Sequence, residues 1–268
     1  MSSNLNNDGL NFKRWILITG STDGFGRQLA QELAANIYEN FVLKMSEVVR
    51  LRFPRLNTLI ACASVVVQRR IKSHDGLELT LQINHLSHIV LFTELLPLLE
   101  LNSPSRILTV GSISSSINWN DINSEVCKYD KFAQYSLTKL MNHLATLYIH
   151  RLMFKHKKQF QVTANVVDAE KRVEKEGRTI LPQYSNRAQF YSSIFPATSE
   201  PYLYEHVNAL ETLVRLIEDK EFEGISGKYF DANGKELKLG ASVCDVRDQL
   251  LSESVGICEK ILGITRRS

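Results

Sequence analysis

The sequence predicts an α/β fold, a mostly parallel sheet with helices on both faces. It forms a single domain over residues 1–268, with a flexible tail at 1–12. Three observations predict this. Apolar runs of strand length alternate with longer segments of helical spacing along the chain. The first run, Trp15-Ile16-Leu17-Ile18-Thr19, meets a glycine-rich turn, Gly20-Ser21-Thr22-Asp23-Gly24-Phe25-Gly26, and a helix carrying Leu29, Ala30, Leu33 and Ala34 follows. No internal repeat, low-complexity tract or linker divides the 268 residues, a length that suits one large α/β domain.

After a first helix over about 24–36, apolar residues Tyr38, Phe41, Val42, Met45, Val48, Val49 and Phe53 recur at helical spacing. Residues 40–45 could form a short strand, but the period holds across both halves of 37–53, so a helix is expected, stopped by Pro54. A strand is expected at 56–63, a long helix over 77–99 ending near Pro97, and a strand at 106–110. An apolar helix should span 135–154, a strand 161–167 and a helix 207–218. The last strand starts at 227–230, with a turn at Asn233-Gly234. The segment 183–205 is aromatic-rich and irregular, and suits either the wall of an apolar site or a loop packed on its own domain.

Composition excludes several functions. The net charge of +3, from 32 basic and 29 acidic residues, is too balanced to argue for nucleic acid or an anionic membrane. The basic clusters Arg69-Arg70-Ile71-Lys72 and Lys155-His156-Lys157-Lys158 read as solvated loop or helix-end charge. Cys62, Cys127, Cys244 and Cys258 are scattered without metal-ligand spacing, so reduced thiols and no metal site are expected. The first eleven residues lack a signal-peptide pattern, and no apolar run has the length of a membrane span. A cytoplasmic setting is expected, with peripheral membrane association left open.

The chemistry-bearing residues lie at element ends and on one helix face. A strand, a glycine turn and a helix N-terminus form an anion site, because free backbone N–H groups and the positive helix end point at an arriving phosphate. Gly20, Ser21, Thr22, Asp23, Gly24, Phe25 and Gly26 are its residues. Tyr135 and Lys139 sit at i and i+4, on one face of a helix. Ser112 lies just past a strand end, where parallel sheets present catalytic groups. Asn84 interrupts an apolar helix at a cost in helix propensity, which suits either a separate purpose or an exposed polar position.

Together Thr19 to Gly26, Asn84, Ser112 and the Tyr135/Lys139 pair resemble the classical short-chain dehydrogenases/reductases. The segments Asp75-Gly76-Leu77-Glu78, Asn84-His85-Leu86-Ser87-His88, Thr93-Glu94-Leu95-Leu96-Pro97-Leu98-Leu99 and Gly224-Ile225-Ser226-Gly227-Lys228-Tyr229-Phe230 resemble the retinol-dehydrogenase-like branch. The likeness covers most of residues 13–232. It implies a Rossmann-like doubly wound sheet and hydride transfer between NAD or NADP and a small alcohol, ketone or aldehyde, retinoid- or lipid-like in this branch. Tyr135 would be the proton donor or acceptor, and Lys139 would lower its pKa and hold the ribose. Ser112 would bind the substrate oxygen, and Asn84 would hold a water linking Lys139 to solvent. Homodimerisation through the helices at 77–99 and 135–154 is a further implication.

The chain departs from the family pattern. Residues 37–54 leave room for one helix where the family has a strand, a helix and a strand, so about one βαβ unit of roughly thirty residues is missing. The expected sheet is shortened there, with strand 15–19 near or at an edge open to self-association. The residue that selects NAD or NADP would lie in the missing part. The family's Asn-Asn-Ala-Gly turn is Ala61-Cys62-Ala63-Ser64, its Pro-Gly after the sixth strand is Ala169-Glu170 following Asp168, and a glycine near Asn84 is Ser87. Two functions follow: an active oxidoreductase, or a catalytically impaired relative that acts as a binding or interaction protein or is a truncated product.

Overall fold

The computed structural model describes residues 15–19, 39–111, 121–158, 161–168, 173–175, 178–180, 212–237, 253–254 and 256–257. The glycine turn Gly20 to Gly26, the helix expected at 24–36, Ser112, Ala169-Glu170 and the aromatic segment 183–205 lie outside them.

In chain order the described elements begin with β1 (Ile16–Ile18), α1 (Glu39–Arg52) and β2 (Thr58–Ala61). A continuous helix α2 follows, made of Leu79–Leu81, a π turn Gln82–Leu86 and Ser87–Leu101. Then come β3 (Ser105–Gly111), α3 (Lys131–Lys155) and β4 (Val162–Asp168). A small antiparallel pair, β5 (Val173–Lys175) and β6 (Arg178–Ile180), is followed by helix α4 over 212–218. The hairpin β7 (Tyr229–Phe230) and β8 (Glu236–Leu237) ends the sheet.

The main sheet runs β1-β2-β3-β4-β7-β8, parallel except for β8. Ile16 pairs with Thr58, Thr58 with Arg106 and Arg106 with Thr163, so the strands start and end together. Among the described residues β1 has one neighbour, β2. Side chains alternate between two cores, as the strand period of two requires. Leu59, Ile107, Val162 and Ala164 face the core shared with α1, α2 and α3. Ile60, Leu108 and Val167 face the other, where Leu216 and Ile217 of α4 pack with Phe222 and Phe230. Helices therefore cover both faces, as expected.

Local chemistry explains the helix limits. Over 39–52 the chain is helical, not a strand, and it buries Val42 and Val49 on one side. The Glu78 carboxylate caps α2 by accepting from Thr80 N and Leu81 N, and Asp130 caps α3 by accepting from Phe132 N and Ala133 N. One boundary differs from expectation: α2 passes through Pro97 to Leu101. Pro97 is exposed, so the carbonyl it leaves unbonded can reach water, while buried Leu95, Leu98 and Leu99 hold both halves to the core. The Asn233-Gly234 signal is the β7–β8 turn, with Gly234 at φ +81°. The β5–β6 pair carried no sequence signal.

Candidate active site

Each helix of the α1–α3 layer leads into the start of the next strand, so the strand C-terminal ends form one edge. Thr19, Ala61, Gly111 and Asp168 mark that edge. Tyr135 and Lys139 come from the N-terminal half of α3 and are both buried. Lys139 Nζ donates to Val110 O at 3.3 Å and lies 5.4 Å from the Tyr135 ring centroid. The ammonium thus sits against the end of β3, one residue before Gly111. A Cβ on Gly111 would lie 2.6 Å from Val166 Cγ1, so the β3–β4 contact requires glycine there.

Asn84 lies in the π turn of α2, where one extra residue per turn redirects the side chain. Its Oδ1 accepts from Val65 N at 2.7 Å, and its Nδ2 donates to Val65 O at 3.0 Å and Thr138 Oγ1 at 3.1 Å. Thr138 Oγ1 in turn donates to Tyr135 O at 2.7 Å. Asn84 therefore ties the loop after β2 to the turn of α3 that bears Tyr135 and Lys139. Its backbone carbonyl accepts from Asn142 Nδ2 at 2.6 Å and His88 Nδ1 at 2.8 Å, which fills both lone pairs. Three of the four expected catalytic residues, Asn84, Tyr135 and Lys139, converge through these contacts.

Sequence reasoning missed the polar chain beneath them. Because His88 Nδ1 faces a carbonyl it carries the ring proton, and Nε2 can accept from Thr19 Oγ1 at 3.3 Å. Thr19 Oγ1 also accepts from Cys62 N at 3.0 Å and Ala63 N at 3.1 Å. The turn that lacks the family's asparagines is thus held from β1. On the other side Asn142 Oδ1 accepts from His85 Nδ1 at 2.9 Å, and His85 Nε2 meets Ser254 Oγ at 2.8 Å. Burial lowers the His85 pKa from 6.5 to about 4. Burial and the neighbouring Lys139 charge lower that of His88 to about 3. Both rings are neutral. Their signal in the sequence was two histidines three residues apart inside an apolar helix, with Asn142 three residues beyond Lys139.

At the end of β4, buried Asp168 accepts from the Tyr229 hydroxyl, and the His143 ring centroid lies 4.3 Å from that of Tyr229. Among the described residues no cluster of His, Cys, Asp and Glu could hold a metal ion.

No family model matches the chain. Human retinol dehydrogenase 14 is 34% identical over 190 residues, which are 69% of this chain and 53% of the relative. The chain spans about half the length of the curated relatives it matches. Among solved structures, an uncharacterised protein from Mycobacterium paratuberculosis superposes with a TM-score of 0.60 at 18% identity, covering 93% of each chain. A short chain dehydrogenase from Escherichia coli CFT073, complexed with NADPH, gives a TM-score of 0.50 at 13% identity, covering 81% of this chain and 85% of that one. With the fold, the buried Tyr135/Lys139 pair and the curated relative in agreement, the chain belongs to the short-chain dehydrogenase/reductase family, in its retinol-dehydrogenase-like branch.

Proposed function

We propose that the protein is an NAD(P)-dependent oxidoreductase acting on a small alcohol or carbonyl compound, retinoid- or lipid-like. The observation that carries this reading is the placement of Tyr135 and Lys139, buried on one face of α3 at the strand C-terminal edge. A hydroxyl and an ammonium at that edge are the donors that a substrate oxygen and a ribose diol require, so the described residues fit a nicotinamide nucleotide. The glycine turn Gly20 to Gly26 would hold its pyrophosphate. When bound, the nucleotide supplies the hydride donor or acceptor.

The chain's own groups move the proton. In reduction the Tyr135 hydroxyl gives its proton to the nascent alkoxide oxygen, and in oxidation its phenolate takes one. A free phenol has a pKa of about 10, and an ammonium one turn away favours the phenolate. Ser112 would hydrogen-bond the substrate oxygen. Asn84 acts in this reading by position, because its side chain and carbonyl are engaged by Val65, Thr138, Asn142 and His88. A homodimer through α2 and α3 belongs to the same reading.

One observation favours the alternative of an impaired, binding relative: residues 39–52, in the stretch where the family has a strand, a helix and a strand, form the helix α1. Titration of NADH and NADPH into the purified chain, followed by nicotinamide fluorescence, tests both. The expected result is weak binding with little discrimination between the two. A tight, selective preference would show that a selecting residue survives. Absence of any binding would overturn the oxidoreductase reading.

A further inference from the structure

The end of the molecule opposite the proposed site has a composition that folding does not explain. In a parallel sheet with antiparallel helices, α1, α2 and α3 all finish where the strands begin. Each carries a large apolar side chain into solvent there. Leu51 is 82% exposed, Leu101 84% and Phe154 63%, and Phe53 just past α1 is 45% exposed. These tips are joined. Asn102 Nδ2 donates to Pro54 O at 2.8 Å, linking the ends of α1 and α2. Lys158 Nζ meets Glu100 Oε2 at 2.6 Å, linking the ends of α3 and α2.

The charge around them is mostly of one sign. Arg52, Arg55, Lys155, His156 and Lys157 are exposed, and Arg55 lies 4.5 Å above the ring of half-buried Trp15, where β1 begins. Glu100 is matched by Lys158, and Glu94 by Arg50 at 2.7 Å. Among the described side chains of α1, Glu47 is an acid that faces solvent, one turn before Leu51. Cations at helix C-termini are ordinary, since they complement the helix dipole. Four exposed leucine and phenylalanine side chains on joined tips are not, because isolated exposed apolar residues are normal but grouped ones mark contact surfaces.

We propose that this end of the molecule docks on an anionic lipid surface. The apolar tips enter the headgroup boundary, and the arginines and lysines meet the acidic headgroups. Charge decides the occupant: a cationic rim around apolar tips repels its own copy and is attracted to an anionic interface. The Lys155 to Lys158 cluster, which reads in sequence as solvated charge, becomes the cationic part of that surface. Docking by this end turns the strand C-terminal edge away from the lipid.

Co-sedimentation of the full chain with phosphatidylcholine vesicles, with and without phosphatidylserine, tests it. Binding is expected to the phosphatidylserine vesicles and to weaken with added salt. Leu101→Ser/Phe154→Ser should abolish it, and Lys155→Glu/Lys157→Glu should weaken it by about tenfold or more. All these side chains are exposed, so unchanged unfolding midpoints would show that the fold is intact. The proposal fails if the wild-type chain ignores anionic vesicles, or if both variants bind as the wild type does. It also fails if Leu101→Ser/Phe154→Ser instead dissolves a self-associated state, because a second copy would then cover the tips.

Discussion

Tyr135 and Lys139 differ from an accidental surface pair in one respect, their burial. A tyrosine and a lysine four residues apart on an exposed helix face would be solvated and chemically ordinary. Here both side chains are enclosed, and the ammonium rests on the carbonyl at the end of β3. Tyr135→Phe keeps the ring and its packing but removes the hydroxyl proton. On any alcohol or carbonyl substrate the chain turns over, it should lower kcat on the order of 10²-fold or more. Lys139→Met should lower both the rate and nucleotide affinity. Steady-state rates and fluorescence titration measure the two effects, and a fully active Tyr135→Phe enzyme would remove Tyr135 from the mechanism. Neither residue type nor spacing foretold that Asn84 spends its polar atoms on protein partners, because those partners come from a loop and a different helix.

Element packing sets the position of the β3 end. Gly111 pairs with Asp168 of β4, and the space a Cβ would take is filled by Val166 Cγ1 at 2.6 Å. Val166 is fully buried and β-branched, so it has little freedom to yield. Gly111→Ala is therefore expected to destabilise the fold by about 1–3 kcal/mol, read from urea unfolding. In a Val166→Ala background the same change should cost less, because the colliding methyl is gone. Equal costs in the two backgrounds would show that the clash is not what requires glycine. In α2 the helix runs through Pro97, because a proline marks a stop only where no buried face pulls the chain onward.

At the scale of the whole molecule, the chain Thr19–His88–Asn84–Asn142–His85–Ser254, in which His88 and Asn142 both donate to the Asn84 carbonyl, runs from β1 to Ser254. It makes stability depend on pH. The folded pKa values of His85 and His88, about 4 and about 3, lie below the unfolded value of 6.5. For such bases the unfolded chain binds more protons. Their contribution is complete above the unfolded value, and it is lost as the pH falls toward the folded ones. Each ring contributes a slope of about 1.4 kcal/mol per pH unit within that window. The thermal midpoint should hold steady near neutral pH and drop steeply between about pH 6 and 4. His88→Gln should be less stable at neutral pH but show a shallower acid slope. Identical slopes for variant and wild type would exclude His88 as a source.

By itself the sequence determined the alternation of strands and helices, the helix over 39–52 against its strand alternative, and the Asn233-Gly234 turn. It also marked the Tyr135/Lys139 face. These depend on side-chain period and turn chemistry, which act between near neighbours. Only the tertiary structure decided what Asn84, His85, His88 and Thr19 bond to, that Asp168 meets Tyr229, that α2 runs through Pro97, and that three apolar helix tips gather at one end. Those outcomes join residues tens of positions apart, through packing that no local pattern encodes. A hydrogen bond between Thr19 and His88, or a shared surface between Leu101 and Phe154, exists only once the sheet has brought their elements side by side.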